Sequence, residues 1–262
     1  ECFDPKDLEM ILGNVRANHG TPAAFNRAVK LQLLFSPLSY RVDLEQLKKR
    51  SESTEWNFGP VDEWLGKPTS SRVLCILGGA GTGKSTISAA LVREVLGRPV
   101  EGRPGEWVGP ITAIHFLKHS DQRRLDMVAM LKSFAFQLGL RLPKVQEWLD
   151  ALDSLEIDRL NSADTAFDLL FGPAFVAACE GQPVIFLVDA LDEADPPEQQ
   201  RPGFDPAKDY VEAVGNKAWH LLMTRFNKLP PNFRFIFTAR PDTLLGTTKE
   251  ALGRAFGVSS AT

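Results

Sequence analysis

The 262 residues carry 30 Lys and Arg against 33 Asp and Glu, a formal net charge of −3, and 44% of them are apolar. These are the proportions of an ordinary globular chain, long enough for one α/β domain with a helical appendage, and the charge leaves no footprint for nucleic acid or a membrane surface. The three cysteines lack metal-ligand spacing: Cys75 sits in an apolar run and Cys179 follows Ala177-Ala178, so both read as small core residues of a reducing, cytoplasmic chain.

The first fifty residues give two short amphipathic stretches, Asp7–Leu12 and Phe25–Leu31, separated by His19-Gly20-Thr21-Pro22. Apolar Trp56, Val61, Trp64 and Leu65 then lead to a first strand over Arg72–Leu77. A Gly-rich loop follows, then a helix with Ile87, Ala90, Leu91 and Val95 on one face, stopping at Gly97 with Pro99 beyond. A Gly/Pro-rich loop over 98–110 leads into a second strand at Ile111–Leu117. Ser120 or Asp121 caps a helix to about Gly139, and helical stretches follow at Val145–Leu155 and Ala163–Cys179. A third strand over Pro183–Val188, a polar loop over 195–209, a helix over Tyr210–Asn227 and a fourth strand over Phe233–Thr238 complete the pattern. Apolar strands alternating with amphipathic helices predict a parallel sheet covered on both faces. No apolar run approaches the ~18 residues of a membrane span, and the N-terminus lacks the charged-then-apolar order of a secretion signal. A start at Glu1 rather than Met reads as a segment of a longer protein.

Gly78-Gly79-Ala80-Gly81-Thr82-Gly83-Lys84-Ser85 fits G-x-x-x-x-G-K-[ST] between a strand and a helix. Glycines let successive backbone N–H groups turn inward on an anion, and the helix N-terminus adds its dipole. In that frame Lys84 reaches the β- and γ-phosphates and the Ser85 hydroxyl binds Mg²⁺, with Thr86 closing the binding segment. Asp189, at the C-terminal tip of the third strand, becomes the second Mg²⁺-side residue, acting through water. Asp192 and Glu193 follow as candidates to polarise an attacking water, Glu193 favoured. Arg240, after the fourth strand and before Pro241, is placed to donate to the γ-phosphate and report its loss.

Three ordered strings resemble the NACHT group of STAND signal-transduction ATPases, relatives of AAA+ proteins. They are the Walker A string at 78–85, Val188-Asp189-Ala190-Leu191-Asp192-Glu193-Ala194, which resembles the extended Walker B signature, and Phe237-Thr238-Ala239-Arg240-Pro241, which resembles the sensor 1 strand end. Ala239 replaces the commoner Ser. The Trp56–Leu65 lead-in is similar to that of NACHT proteins carrying WD repeats. His115-Phe116 and Arg123-Arg124 fit the same likeness more loosely.

The resemblance implies a three-layer P-loop NTPase sandwich of strand order 5-1-4-3-2. Residues 55–262 would form that core, cut before the fifth strand and the helical and winged-helix subdomains, with 1–54 as an N-terminal helical or linker segment. It implies ATP or ADP with Mg²⁺ as ligands, slow hydrolysis, and a switch acting through self-association or protein partners on flanking domains. Two other readings stay open on the residues: a scaffold that holds ADP without hydrolysing it, and a P-loop kinase with a small acceptor. Adenine contacts are expected around Trp56–Val61, His115 and His119 as core or surface residues, and the tryptophans at 56, 64, 107, 148 and 219 as anchors rather than a base-stacking platform. Lys48-Lys49-Arg50 reads as a solvated helix face, and the 195–209 loop as a mobile plain loop.

Overall fold

The computed structural model describes residues 22–40, 43–44, 46–47, 58–67, 71–95, 98–99, 107–108, 111–194 and 216–240. Six strands occur among them: β1 (Val73–Leu77), β2 (Arg98–Pro99), β3 (Trp107–Val108), β4 (Ile111–Phe116), β5 (Val184–Asp189) and β6 (Phe233–Ala239). Four of these form an all-parallel sheet in the order β1-β6-β5-β4. Numbered among themselves, the four run 1-4-3-2, the relative order of the expected sheet without its fifth strand. The remaining two pair antiparallel as a two-residue ribbon, Arg98 opposite Val108, inside the stretch expected to be plain loop. The expected 195–209 loop, the Lys48–Arg50 run, Trp56 and the stretch Asp7–Leu12 lie outside the described residues.

Side-chain alternation along the central strands explains why the sheet is buried on both faces. On β5 every residue is buried: Val184, Phe186 and Val188 join the larger apolar cluster, while Ile185 and Leu187 join the smaller one on the opposite face. On β6, Phe233, Phe235 and Phe237 point to the first face and Ile236 to the second. Phe186 stacks on Phe235 at a centroid distance of 5.5 Å, and Phe235 lies 6.1 Å from Phe237. Each such ring contributes roughly 1.5–3 kcal/mol by leaving water.

Nine helices have described bounds, in two layers: α1 (Pro22–Phe35), α2 (Gly59–Gly66), α3 (Lys84–Val95), α4 (Met127–Gly139), α5 (Pro143–Ala151), α6 (Ser154–Asp158), α7 (Ala163–Leu170), α8 (Pro173–Ala178) and α9 (Lys217–Thr224); residues 43–44 and 46–47 are helical as well. α2 and α3 supply Val61, Trp64, Leu91 and Val92 to the smaller cluster. The others bury against the phenylalanine face. α1 belongs to that layer through Leu31 and Phe35, each 1% exposed.

Several long predicted helices are broken by residues that satisfy the backbone locally. Asp121 accepts from the Arg123 N–H and opens a 3-10 turn at Gln122–Leu125; Asp126 then accepts from Val128 N–H and starts α4 afresh. Asp153 likewise starts α6, and Gly172-Pro173 separates α7 from α8. The described part of the expected 210–227 helix is α9, followed by a 3-10 turn at Phe226–Lys228. Cys75 is exposed, not a core residue: among the described residues β1 is an outer strand of the sheet, and its residues alternate between cover and solvent. Cys179 is buried as expected.

The opposite edge, β4, is blunted by one side chain. Gln137 of α4 accepts from Ile114 N–H at 2.9 Å and donates to Ile114 C=O at 2.8 Å, pairing both edge groups of a buried residue. Gln137→Leu leaves two buried backbone groups without partners, each costing roughly 1–3 kcal/mol. Chemical denaturation is expected to show a lower midpoint at unchanged slope, and an unchanged midpoint would contradict the role.

Candidate functional site

The loop from β1 to α3 is shaped by its glycines. Gly81 and Gly83 have φ of 74° and 91°, in the left-handed region that side chains avoid. At Gly78 a Cβ would lie 2.5 Å from Thr82 Oγ1, so a side chain there would displace the threonine. The loop is tied to the sheet by Gly78 N–H donating to Ala239 C=O at 3.2 Å. Lys84 arches back across it, its ammonium donating to Gly78 C=O at 2.6 Å and Gly79 C=O at 2.8 Å. Thr86 is buried in the first turn of α3.

Asp189 closes β5, 2% exposed, with three hydroxyls on its carboxylate. Ser88 donates to Oδ1 at 2.6 Å, Thr238 donates to the same oxygen at 2.7 Å, and Ser85 bonds the carboxylate as well. Burial pushes the Asp189 pKa up, and the hydroxyl donors, Ser88 first, pull against it. The next residue, Ala190, has φ of 56°, a conformation costly for any side chain. It is held by its N–H donating to Thr238 Oγ1 at 2.8 Å and by its C=O accepting from Glu193 N–H at 2.8 Å.

The acidic pair divides in two. Asp192 is 6% exposed and both of its oxygens serve Arg240: Oδ1 accepts from the Arg240 N–H at 3.0 Å and Oδ2 lies 3.0 Å from Nε. Burial raises the Asp192 pKa and the arginine opposes it. Asp192 therefore anchors Arg240, leaving Glu193 as the acid that faces open space. Glu193 Oε2 accepts from His119 N–H at 2.9 Å, and its Oε1 lies 3.7 Å from the Arg240 guanidinium. Arg240 thus stands on the two acids rather than over the glycine loop. Asn216 supports the turn from below, donating to Leu191 C=O at 2.9 Å.

Ser85, Asp189 and Glu193 open onto one pocket of about 480 Å³. Its far wall is built by Lys118, His119 and Ser120 after β4, and by Asp43, Gln46 and Leu47. Sequence reasoning missed the last three; the nearest available signal was the basic turn, since Arg124 holds Asp43 at 2.7 Å and donates to Ser39 C=O at 3.0 Å and Phe116 C=O at 3.3 Å. Phe58–Val61, expected near an adenine, open α2 and do not line this pocket. His119 is exposed, whereas His115 is buried, its Nε2–H donating to Arg124 C=O at 2.8 Å and its pKa pushed down to about 4 by burial, hence a neutral core residue. Of the tryptophans, Trp64 and Trp219 are buried and Trp148 packs against the core.

Among the described residues no group of three or more His, Cys, Asp and Glu is arranged to hold a metal ion. The donor set fits a hard cation that brings oxygens of its own: one hydroxyl, Ser85, and one carboxylate, Asp189, on the wall of a shared pocket. No described helix is long and apolar enough to cross a membrane.

Residues 53–240, more than two thirds of the chain, match the family model described as nephrocystin 3, N-terminal, and the chain belongs to that family. α1 and the pocket-wall residues Asp43, Gln46 and Leu47 precede the matched region. The ABC transporter G family member 18 of Arabidopsis thaliana is 30% identical over 161 residues, covering 55% of this chain. The chain spans 22% of that relative's length. No solved structure matches at a comparable level.

A buried carboxylate with a raised pKa destabilises the fold when ionised. The folded state holds its proton to higher pH than the unfolded state, so stability from this group falls as pH rises above the ordinary carboxylate range. Asp189→Asn removes that cost while keeping an oxygen for the hydroxyls, and is expected to raise Tm by about 2–4 °C at pH 7. The gain is expected to shrink at pH 4, read by calorimetric scans at both values. A Tm lowered at both would contradict it.

Proposed function

We propose that this member of the nephrocystin 3 N-terminal family is a nucleotide-binding switch that takes ATP or ADP with Mg²⁺ and hydrolyses ATP slowly. The observation that carries the reading is the bond of Ser85, which follows Lys84 at the start of α3, to Asp189 at the tip of β5. A glycine loop before a helix N-terminus suits a polyphosphate, and Lys84, now on loop carbonyls, is the cation that would turn to it. Mg²⁺ bound with the nucleotide supplies charge neutralisation at the phosphates, with Ser85 and Asp189 on its protein side. The 1-4-3-2 order of the four parallel strands supports a P-loop sandwich, which the NACHT resemblance implies, and the partial likeness to an ABC transporter supports nucleotide binding.

Glu193 is the residue to orient water, because Asp192 is occupied with Arg240. Arg240 in turn couples the acidic turn to the end of β6, so a phosphate that drew the guanidinium away would release Glu193. Flanking domains and self-association would read that change, in a cytoplasmic protein. The pairing of both acids with Arg240 also favours a second reading, in which ADP is held and nothing is turned over.

Isothermal calorimetry with ADP and ATP in Mg²⁺ is expected to show one site whose affinity falls at least about a hundredfold in Lys84→Ala, the loss of a charge-assisted phosphate contact. No binding by folded wild-type protein would overturn the proposal. Glu193→Gln is expected to keep ADP affinity and lower phosphate release by about 10²-fold. Stoichiometric nucleotide without release by the wild type would establish the holding reading instead.

A further inference from the structure

Two hydroxyls outside the loop motif converge on one oxygen of Asp189. Ser88 is fully buried on α3 and Thr238 is fully buried near the end of β6, so neither can serve solvent or a ligand directly. Both donate to Oδ1, at 2.6 and 2.7 Å. Ser88 stands three residues after Ser85, on the same face of α3, one turn deeper. Thr238 also accepts from Ala190 N–H, so its single hydroxyl fixes the carboxylate and the strained residue beside it.

We propose that Ser88 and Thr238 are positioning residues for the metal side of the site: they pin Asp189 Oδ1, so that the carboxylate keeps one orientation when Ser85 turns from it to a metal ion. The inference rests on the Mg²⁺-nucleotide reading. Its physical basis is that a carboxylate in a buried site rotates unless one oxygen is held, and outer hydrogen bonds of this kind set metal affinity. Without Ser88 and Thr238, Asp189 would lose its two strongest anchors at the moment Ser85 leaves. The two hydroxyls also tie three elements, α3, β5 and β6, to one atom, so the phosphate loop and the Arg240 turn share a fixed point.

The test is the coupling between metal and nucleotide: the ratio of ADP affinities with Mg²⁺ and with EDTA, measured by calorimetry, and Mn²⁺ binding to the ADP complex followed by electron paramagnetic resonance. Ser88→Ala and the isosteric Thr238→Val are each expected to lower Mn²⁺ affinity by about 10-fold or more while leaving ADP affinity in EDTA unchanged. Thr238→Ser is expected to restore wild-type coupling. In an Asp189→Asn background Ser88→Ala is expected to add nothing further, since it acts through the carboxylate. The two substitutions are independent, so a variant that does not fold leaves the other to decide, and Thr238→Ser against Asp189→Asn decides if neither folds: normal coupling in the first and none in the second is required. Unchanged coupling in folded Ser88→Ala or Thr238→Val, or an equal loss with and without metal, would overturn the inference. Wild-type protein that binds no Mg²⁺-nucleotide would instead overturn the reading beneath it.

Discussion

A negative charge held at the buried end of β5 is the constraint around which the rest of the site is arranged. Asp189 is surrounded by apolar strand residues, and a carboxylate there is stable only with donors close by. The three donors come from two different segments: Ser85 and Ser88 on α3, and Thr238 on β6. Bringing them together requires the phenylalanine face to seat β5 and β6 side by side and α3 to cross the opposite face. The fold and the site are therefore one construction. Loss of register between β5 and β6 by one residue would turn Thr238 to the wrong face.

A second tier of charge surrounds the first. Arg240 is drawn to Asp192 and Glu193, and Glu193 to the turn after β4 through His119 N–H. This chain of contacts joins the ends of three strands along one edge, where ligands bind in open α/β sheets. The segment before the family-matched region takes part as well: Arg124, only 11% exposed at its side chain, fastens Asp43 and Ser39 to the end of β4.

Much of this arrangement could be read from residues alone. The glycine loop, the apolar runs of β1, β4, β5 and β6, and the acid at the tip of β5 are local signals, and the strands formed within one residue of where the pattern placed them. The helices after β4 were less legible because Asp121, Asp126 and Asp153 each offer a cap that competes with helix continuation, and periodicity does not decide between them. Cys75 was misplaced because an apolar run does not say which strand will be outermost. Ser88 carries no motif, and nothing in its surroundings hints at Asp189, 101 residues away. Glu193 was favoured over Asp192 on the residues, but the feature that sets the two acids apart, Arg240 on both oxygens of Asp192, is not a local signal.

The central claim is that Ser85 and Asp189 face a metal-bound phosphate. Its most direct test is an anomalous difference map from crystals grown with ADP and Mn²⁺. The account predicts one peak about 2.0–2.2 Å from Ser85 Oγ, with Asp189 reached directly or through one water. Ordered ADP with the metal elsewhere, or with no metal beside Ser85, would contradict it.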